Sequence, residues 1–354
     1  MTETIPATPR KTFWGRDGSL DLLLIVRGLA AVAVIIWHAG GYQGGWPLIN
    51  VPGRTAVWLF FGISGYVIAH GFINGRYGFK AQDIRDFYCN RFLRIYPIFI
   101  LLSIVAWVTE WATTGINPIG WSDVPSQFFS FQFNQNYKLS GVFWTLGIEM
   151  QFYLIAPLLL FFICGRGWVG LIPAYAAMVY ANKVAVAYDV WSLDGRNLLA
   201  TLPHFMAGII ACRLALIIRV PSRAIAMGLI PLALILLIWS NWWYHTHASK
   251  YWSSMGIVLV DGMIFLLAIS HAELERTGTR IVKWLDGLTF LGVISYGLYA
   301  WHAYLLKFVP AMAETAMLLL VCSVCAASLS YRLLEVQVLR FKRRPIGKPP
   351  SGPA

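Results

Sequence analysis

Ten stretches of about twenty predominantly apolar residues follow one another along this 354-residue chain, and each is long enough to cross a hydrocarbon layer about 30 Å thick. In water so much apolar surface has nowhere to go; in a bilayer every stretch finds its solvent. The runs cover residues 20–42, 55–74, 92–112, 142–163, 168–188, 197–218, 224–244, 252–271, 286–308 and 310–334. With 58% hydrophobic and 12% charged residues, the expected fold is all-α, a polytopic membrane bundle of about ten helices.

The lysines and arginines orient it. With the N-terminus in the cytoplasm, 21 of the 28 fall on that side, six on the other (Arg54, Lys138, Lys183, Arg196, Lys250, Lys307), and Arg27 stays inside the membrane. Such asymmetry predicts an even number of spans with both termini cytoplasmic. The net charge of +12 is then mainly topology rather than a nucleic-acid footprint. The first run lacks a small-residue cleavage signature and is read as a retained span, not a signal peptide. Residues 1–18 are expected to form a cytoplasmic arm, 19–335 the membrane domain and 336–354 a basic cytoplasmic tail. Five cysteines suggest no disulfide framework, and no metal site is expected; Cys322 and Cys325 read as packing residues.

Polar residues inside the runs locate the chemistry. A cation at helix-centre depth costs about 2.5 to 3.5 kcal/mol on the mildest scale, so Arg27 should face the bundle interior or a wet cavity. Eleven steps of about 100° return His38 to within about 20° of Arg27, some 16 Å further along the same helix. Glu149 lies about two turns inside the outer boundary of the fourth run and requires a partner. It either orients His38, expected at similar depth, or ties two helices together. His302, in the outer third of the ninth run, is a further candidate for the His38 layer. Ser64 is open between helix packing and a polar role, and Asp261 between a packing hydrogen bond and a cavity. His204, near the outer end of the sixth run, carries no assigned role. His70 reads as interfacial, and so do His245 and His247. Arg91 and Arg94, one turn apart at the start of the third run, either set topology with anionic lipid or hold phosphates of a cytoplasmic ligand. The polar, aromatic outer loop at 113–141 caps the bundle or meets a sugar-like partner.

Taken in order, Arg27 with His38, FFGISGY (60–66), RFLRIYP (91–97), FWTLGIEMQFYL (143–154) and SYGLYAWH (295–302) resemble the acyltransferase-3 family of integral membrane acyltransferases over nearly the whole chain. Leu24 stands where members often carry an acid three residues before the arginine, and Glu335, Val336 and Gln337 replace a Glu-x-Pro pattern. No appended esterase-like domain is expected. The resemblance implies a transferase of groups other than aminoacyl groups. It would move an acyl group, commonly acetyl, from cytoplasmic acyl-CoA to a hydroxyl of an extracytoplasmic glycan or lipid-linked saccharide, with the bacterial inner membrane as the setting. It also implies that Arg27 and His38 are essential.

Histidine, with an unperturbed pKa near 6.5, suits a general base or acyl relay. The expected catalytic set is His38, Glu149 and Arg27. Arg91, Arg94 and Arg27 are expected to bind the donor, and Ser64, Tyr66, Trp144, Tyr153, Tyr296 and His302 the substrates. The competing class is a multi-helix transporter exporting a solute or acylated product, for which buried charges are also ordinary; no internal repeat supports it. A sensor or assembly protein for envelope glycans would explain the outer loop but not Arg27 and His38.

Overall fold

The computed structural model of the chain describes residues 20–40, 51–129, 138–165, 170–187, 197–247, 255–278, 286–309 and 315–343. Among these residues there is no strand. In chain order the helices are α1 (Leu22–His38), α2 (Gly53–Ile73), α3 (Ala81–Thr114), a short outer helix α4 (Val124–Phe129), α5 (Trp144–Gly165), α6 (Leu171–Ala187), α7 (Leu198–Ile217), α8 (Arg223–Thr246), α9 (Met255–Arg276), α10 (Asp286–Val293), α11 (Ser295–Leu305), α12 (Ala316–Ser330) and α13 (Val336–Leu339). A π-helical turn, Tyr331–Glu335, joins the last two into one run of 24 residues. Seven described helices are long and apolar enough to cross a membrane: α2, α3, α5, α7, α8, α9 and the α12–α13 run. α1 is a shorter apolar helix of 17 residues.

Two expected spans differ from what forms. The third begins not at 92 but at Ala81, giving a 34-residue α3. No glycine or proline interrupts Ala81–Tyr96, and Asp83 sits in the first turn, where the helix dipole favours an acid. Arg91 and Arg94 therefore lie well inside a helix rather than at its start. α3 ends at Gly115, whose φ of 68° lets its N–H reach the Trp111 carbonyl at 2.9 Å. The ninth span is two helices, broken at Ile294 (φ −88°, ψ 3°). Just before the break α10 crosses α1 so closely that a Cβ on Gly292 would stand 2.0 Å from the Leu24 carbonyl oxygen, and one on Gly28 2.6 Å from the Gly292 nitrogen. The last helix also runs past the expected tail boundary at 335, to Leu339.

α2 is the centre of the bundle, packed against α1, α5, α7 and α9. Its contact with α7 is backbone on backbone. A Cβ on Gly208 would lie 1.9 Å from the Gly62 carbonyl oxygen, and one on Gly65 2.2 Å from that of Phe205. Without a hydrophobic force between helices in lipid, association depends on such close approach. Around this seam Phe61, Phe152 and Phe205 stack with centroids 4.7 and 3.9 Å apart. The peripheral α8 instead exposes Leu234, Ile235, Ile238 and Trp242, side chains suited to lipid tails. Gly208→Ala should force the α2–α7 seam apart at about 1 to 3 kcal/mol, the usual cost of overpacking. The measurement is the thermal unfolding midpoint of detergent-purified protein, and an unchanged midpoint would refute the seam.

Candidate functional site

Three voids line up along α1. The inner one, about 480 Å³, lies where α1, α2, α3 and α9 converge; its lining includes Tyr66, Arg76, Arg91, Arg94, Lys342 and Arg27. Arg27 also lines a narrow middle chamber of about 30 Å³, with Ser64, Glu149, Thr145, Tyr296 and Phe60. Val57 and Tyr299 are shared between that chamber and an outer cavity of about 420 Å³, which holds His38, Trp37, Trp144 and Arg54. The voids follow one another in the order Arg27 to His38, so one face of α1 borders all three.

At the outer end, His38 Nδ1 lies 3.0 Å from the Val34 carbonyl oxygen, one turn earlier on α1. A carbonyl only accepts, so Nδ1 carries the proton and the lone pair belongs to Nε2. His302, fully buried on α11, brings its Nε2 to 3.3 Å from the same Nδ1, with the rings 5.2 Å apart. That contact requires His302 to accept through Nε2.

Glu149 is elsewhere. Gly53, at the start of α2, lies level with Trp37, since its Cβ would sit 2.8 Å from the Trp37 ring. Ser64 is eleven residues down α2 and Arg27 eleven residues back along α1, so both lie about 16 Å below His38. Glu149 shares their level: Ser64 Oγ donates to its Oε1 at 2.7 Å and the Tyr153 hydroxyl donates at 2.5 Å. Glu149 therefore belongs with Arg27, and the reading in which it orients His38 is corrected. Helix α5 begins at the level of Tyr299 and carries Glu149 inward past it. His302 occupies the position beside the imidazole instead.

The Arg27 guanidinium lies 5.8 Å from the Phe60 ring centroid, and its Nε is buried with no hydrogen-bond partner among the described residues. Arg91 stands over the rings of Phe87 and Tyr153, at 5.4 and 5.3 Å. Tyr296 donates from its hydroxyl to the Ile95 carbonyl at 2.9 Å, tying α11 to α3 beside the chamber. The residues expected in the catalytic, donor-binding and substrate-binding sets thus border one of the three voids or touch a residue that does. Among the described residues, no group of three or more His, Cys, Asp or Glu could hold a metal ion.

Residues 19–330 match the family model of an acyltransferase domain, acyltransferase-3. The chain belongs to that family. Among its relatives, the Bacillus subtilis protein YrhL, assigned as a peptidoglycan O-acetyltransferase, is 23% identical over 350 residues, which is 88% of this chain and 53% of the relative. The Komagataeibacter xylinus protein BcsY, assigned as a membrane-bound transacylase, is 27% identical, covering 90% of this chain and 83% of the relative. The Listeria monocytogenes peptidoglycan O-acetyltransferase OatA is 22% identical, covering 91% and 59%. The chain spans little more than half the length of the first and third. No solved structure matches it. It is an integral membrane protein whose bundle is an acyltransferase domain.

Other residues bordering this acyltransferase-3 site carried little sequence signal. Asn90 precedes the RFLRIYP motif by one residue, yet it is buried and joins the inner wall to the chain end. Lys342 reads as one more tail cation. Tyr299, inside SYGLYAWH, accepts from Thr145 at 3.0 Å and donates to the Val142 carbonyl at 3.2 Å. His204 and Asp261 prove to be one buried unit away from the voids: Nδ1 donates to Oδ1 at 2.6 Å, Tyr175 donates to Oδ2 at 2.5 Å, and Trp58 stacks on the imidazole at 4.4 Å. This unit pins α6, α7 and α9 together. Asp261→Ala strands both donors and should cost about 3 to 5 kcal/mol, read as a lowered unfolding midpoint. Glu149→Gln still offers an acceptor to Ser64 and Tyr153 and should leave the midpoint nearly unchanged.

Proposed function

We propose that the chain is a membrane O-acyltransferase that moves an acyl group, acetyl in the first instance, from cytoplasmic acyl-CoA to a hydroxyl of an extracytoplasmic glycan or lipid-linked saccharide, in the bacterial inner membrane. The observation that carries this reading is the succession of voids, basic at one end and holding His38 at the other, joined through Arg27 and then through Val57 and Tyr299. Arg91 and Arg94 suit the donor's phosphates. The pantetheine arm is slender enough to pass Arg27, and the axial distance of about 16 Å to His38 is comparable with its extended length. The middle chamber, about 30 Å³, has room for only about two or three waters, so passage requires Phe60 and Tyr299 to swing aside.

In the outer cavity the acceptor oxygen attacks the thioester carbonyl carbon while His38 Nε2 takes the hydroxyl proton. The C–S bond breaks, and the proton passes from Nε2 to the departing sulfur, giving ester and free CoA thiol. The positive charge on His38 is shared through Nδ1–H with the Val34 carbonyl and the neutral His302, the role an acid holds beside other catalytic histidines. Transfer through an acyl-histidine would use the same Nε2 lone pair. Aromatic Trp37 and Trp144 offer faces to a sugar ring. Arg27, with Glu149 at its level about 16 Å below His38, guides the arm.

The test is labelled acetyl-CoA with purified protein in liposomes and extracted envelope glycan as acceptor. His38→Ala should lower label transfer by about 10²- to 10⁴-fold while acetyl-CoA still binds. Val57→Phe, which plugs the junction between chamber and outer cavity, should give the same separation of binding from transfer. Movement of a solute without consumption of CoA would overturn the reading in favour of a transporter.

A further inference from the structure

The inner cavity is built partly from the far end of the chain. After α13 the backbone turns across α3, and Asn90 clasps it at both main-chain groups: the Arg343 N–H donates to Asn90 Oδ1 at 2.8 Å, and Asn90 Nδ2 donates to the Arg343 carbonyl at 3.0 Å. The same Nδ2 lies 3.0 Å from the Tyr77 hydroxyl. The Arg343 side chain reaches the buried carboxylate of Asp86 at 3.5 Å. A side chain merely trailing from a tail has no need of such anchorage. The clasp fixes the residue before it, Lys342, in the cavity wall. Among the described residues no carboxylate pairs with Lys342.

The wall is graded. Arg94 lies four residues, about 6 Å, further along α3 than Asn90, towards the chamber. Arg91 comes between, and Lys342 and Arg76, the chain neighbours of the Arg343 and Tyr77 that Asn90 binds, lie level with Asn90, away from the chamber and towards the rim. The opposite wall has the other sign: His271 lies between Asp21 and Glu275, 3.7 and 3.8 Å from their carboxylates. Anionic groups are therefore confined to the α3 side, and their order along it is set. With the thioester in the outer cavity beside His38 and the arm in the chamber, Arg94 and Arg91 meet the pyrophosphate, and the rim cations meet whatever phosphate lies furthest from the acyl group.

Resting on the acyl-CoA reading above, we propose that Lys342, held by the Asn90–Arg343 clasp, reads the terminal phosphomonoester of the donor's nucleotide, so that the enzyme distinguishes a 3′-phosphorylated nucleotide thioester from its dephosphorylated counterpart. Burial, together with Arg94, Arg91 and Arg76 nearby, lowers the Lys342 ammonium to about 8. A bound phosphate stabilises the charged form, so this contribution is present below about pH 8 and fades as pH rises through and above it. The phosphomonoester's second ionisation, near 6, is complete in that range. His70 faces the cavity from α2, and His271, Asp21 and Glu275 face it from α9 and α1, so the lysine's share is isolated by comparison with arginine at the same position.

The experiment measures dissociation constants of acetyl-CoA and 3′-dephospho-acetyl-CoA for the full chain in nanodiscs. The wild type should prefer acetyl-CoA about tenfold, the worth of one charge-assisted hydrogen bond. Lys342→Met should abolish that preference by weakening acetyl-CoA alone, and Lys342→Arg should keep it. Between about pH 7 and pH 9.5 the wild-type preference should decline while that of Lys342→Arg holds. Equal wild-type affinity for the two thioesters overturns the proposal, and so does a Lys342→Met protein weakened equally for both. A wild type that binds neither thioester overturns the acyl-CoA reading itself.

Discussion

A guanidinium in the middle of an apolar bundle needs a wet or polar surrounding, and the rest of this molecule is arranged to supply one at Arg27 without opening the bundle to lipid. Arg27 separates a wide basic cavity from a chamber about one-sixteenth its size, judging from volumes of about 480 and 30 Å³. The arrangement depends on rigid neighbours. α2 is held to α7 by glycines that admit no Cβ, and α1 to α10 in the same way, so the walls on either side of Arg27 cannot drift. Where backbones touch, sliding by even a fraction of an ångström meets hard repulsion rather than a softer side chain.

The two ends of α1 are chemically distinct because the bundle gives them different company. At the level of Arg27, Glu149 accepts two hydroxyl hydrogen bonds on one oxygen. At the level of His38 no carboxylate among the described residues is in contact, and a second histidine takes the place an acid would occupy. A carboxylate beside His38 would hold the imidazolium strongly and make return of the proton harder. The neutral His302 and the Val34 carbonyl offer weaker support, which suits a base that must release its proton again within one turnover.

Much of this was legible in the sequence, for identifiable reasons. Arg27 and His38 share a helix, so their spacing alone fixes their relative direction and height. The hydrophobic runs marked the bundle because lipid imposes one length on every span. Depth between different helices is another matter. Equal depth for Glu149 and His38 follows only if both helices end at the same boundary; α5 starts deep enough to carry Glu149 to the level of Arg27. The break at Ile294 arises from a crossing between glycines 264 residues apart, Gly28 and Gly292, which no local pattern encodes. Asn90 and Lys342 failed to stand out for a similar reason. An amide on a basic helix and a lysine in a basic tail acquire meaning only when the chain end returns to α3.

That return gives the molecule a closed logic. Residues from the first helix and from the chain end both line the inner cavity, although more than three hundred positions separate Arg27 from Lys342. Binding a ligand along the α3 wall would bring anionic charge to four cations, Arg94, Arg91, Arg76 and Lys342, of which Arg94 already feels the Glu335 carboxylate, while Asp21 and Glu275 lie around His271. Lys342 is repelled by Arg94, Arg91 and Arg76, and a correctly spaced polyanion relieves that repulsion. The gain is largest for the ligand that spans the whole gradient from the Arg94 level to the rim. A shorter anion neutralises only part of the row and leaves the rest repelling, so selectivity for length follows from the layout of charge before any hydrogen bond to a base or sugar is counted.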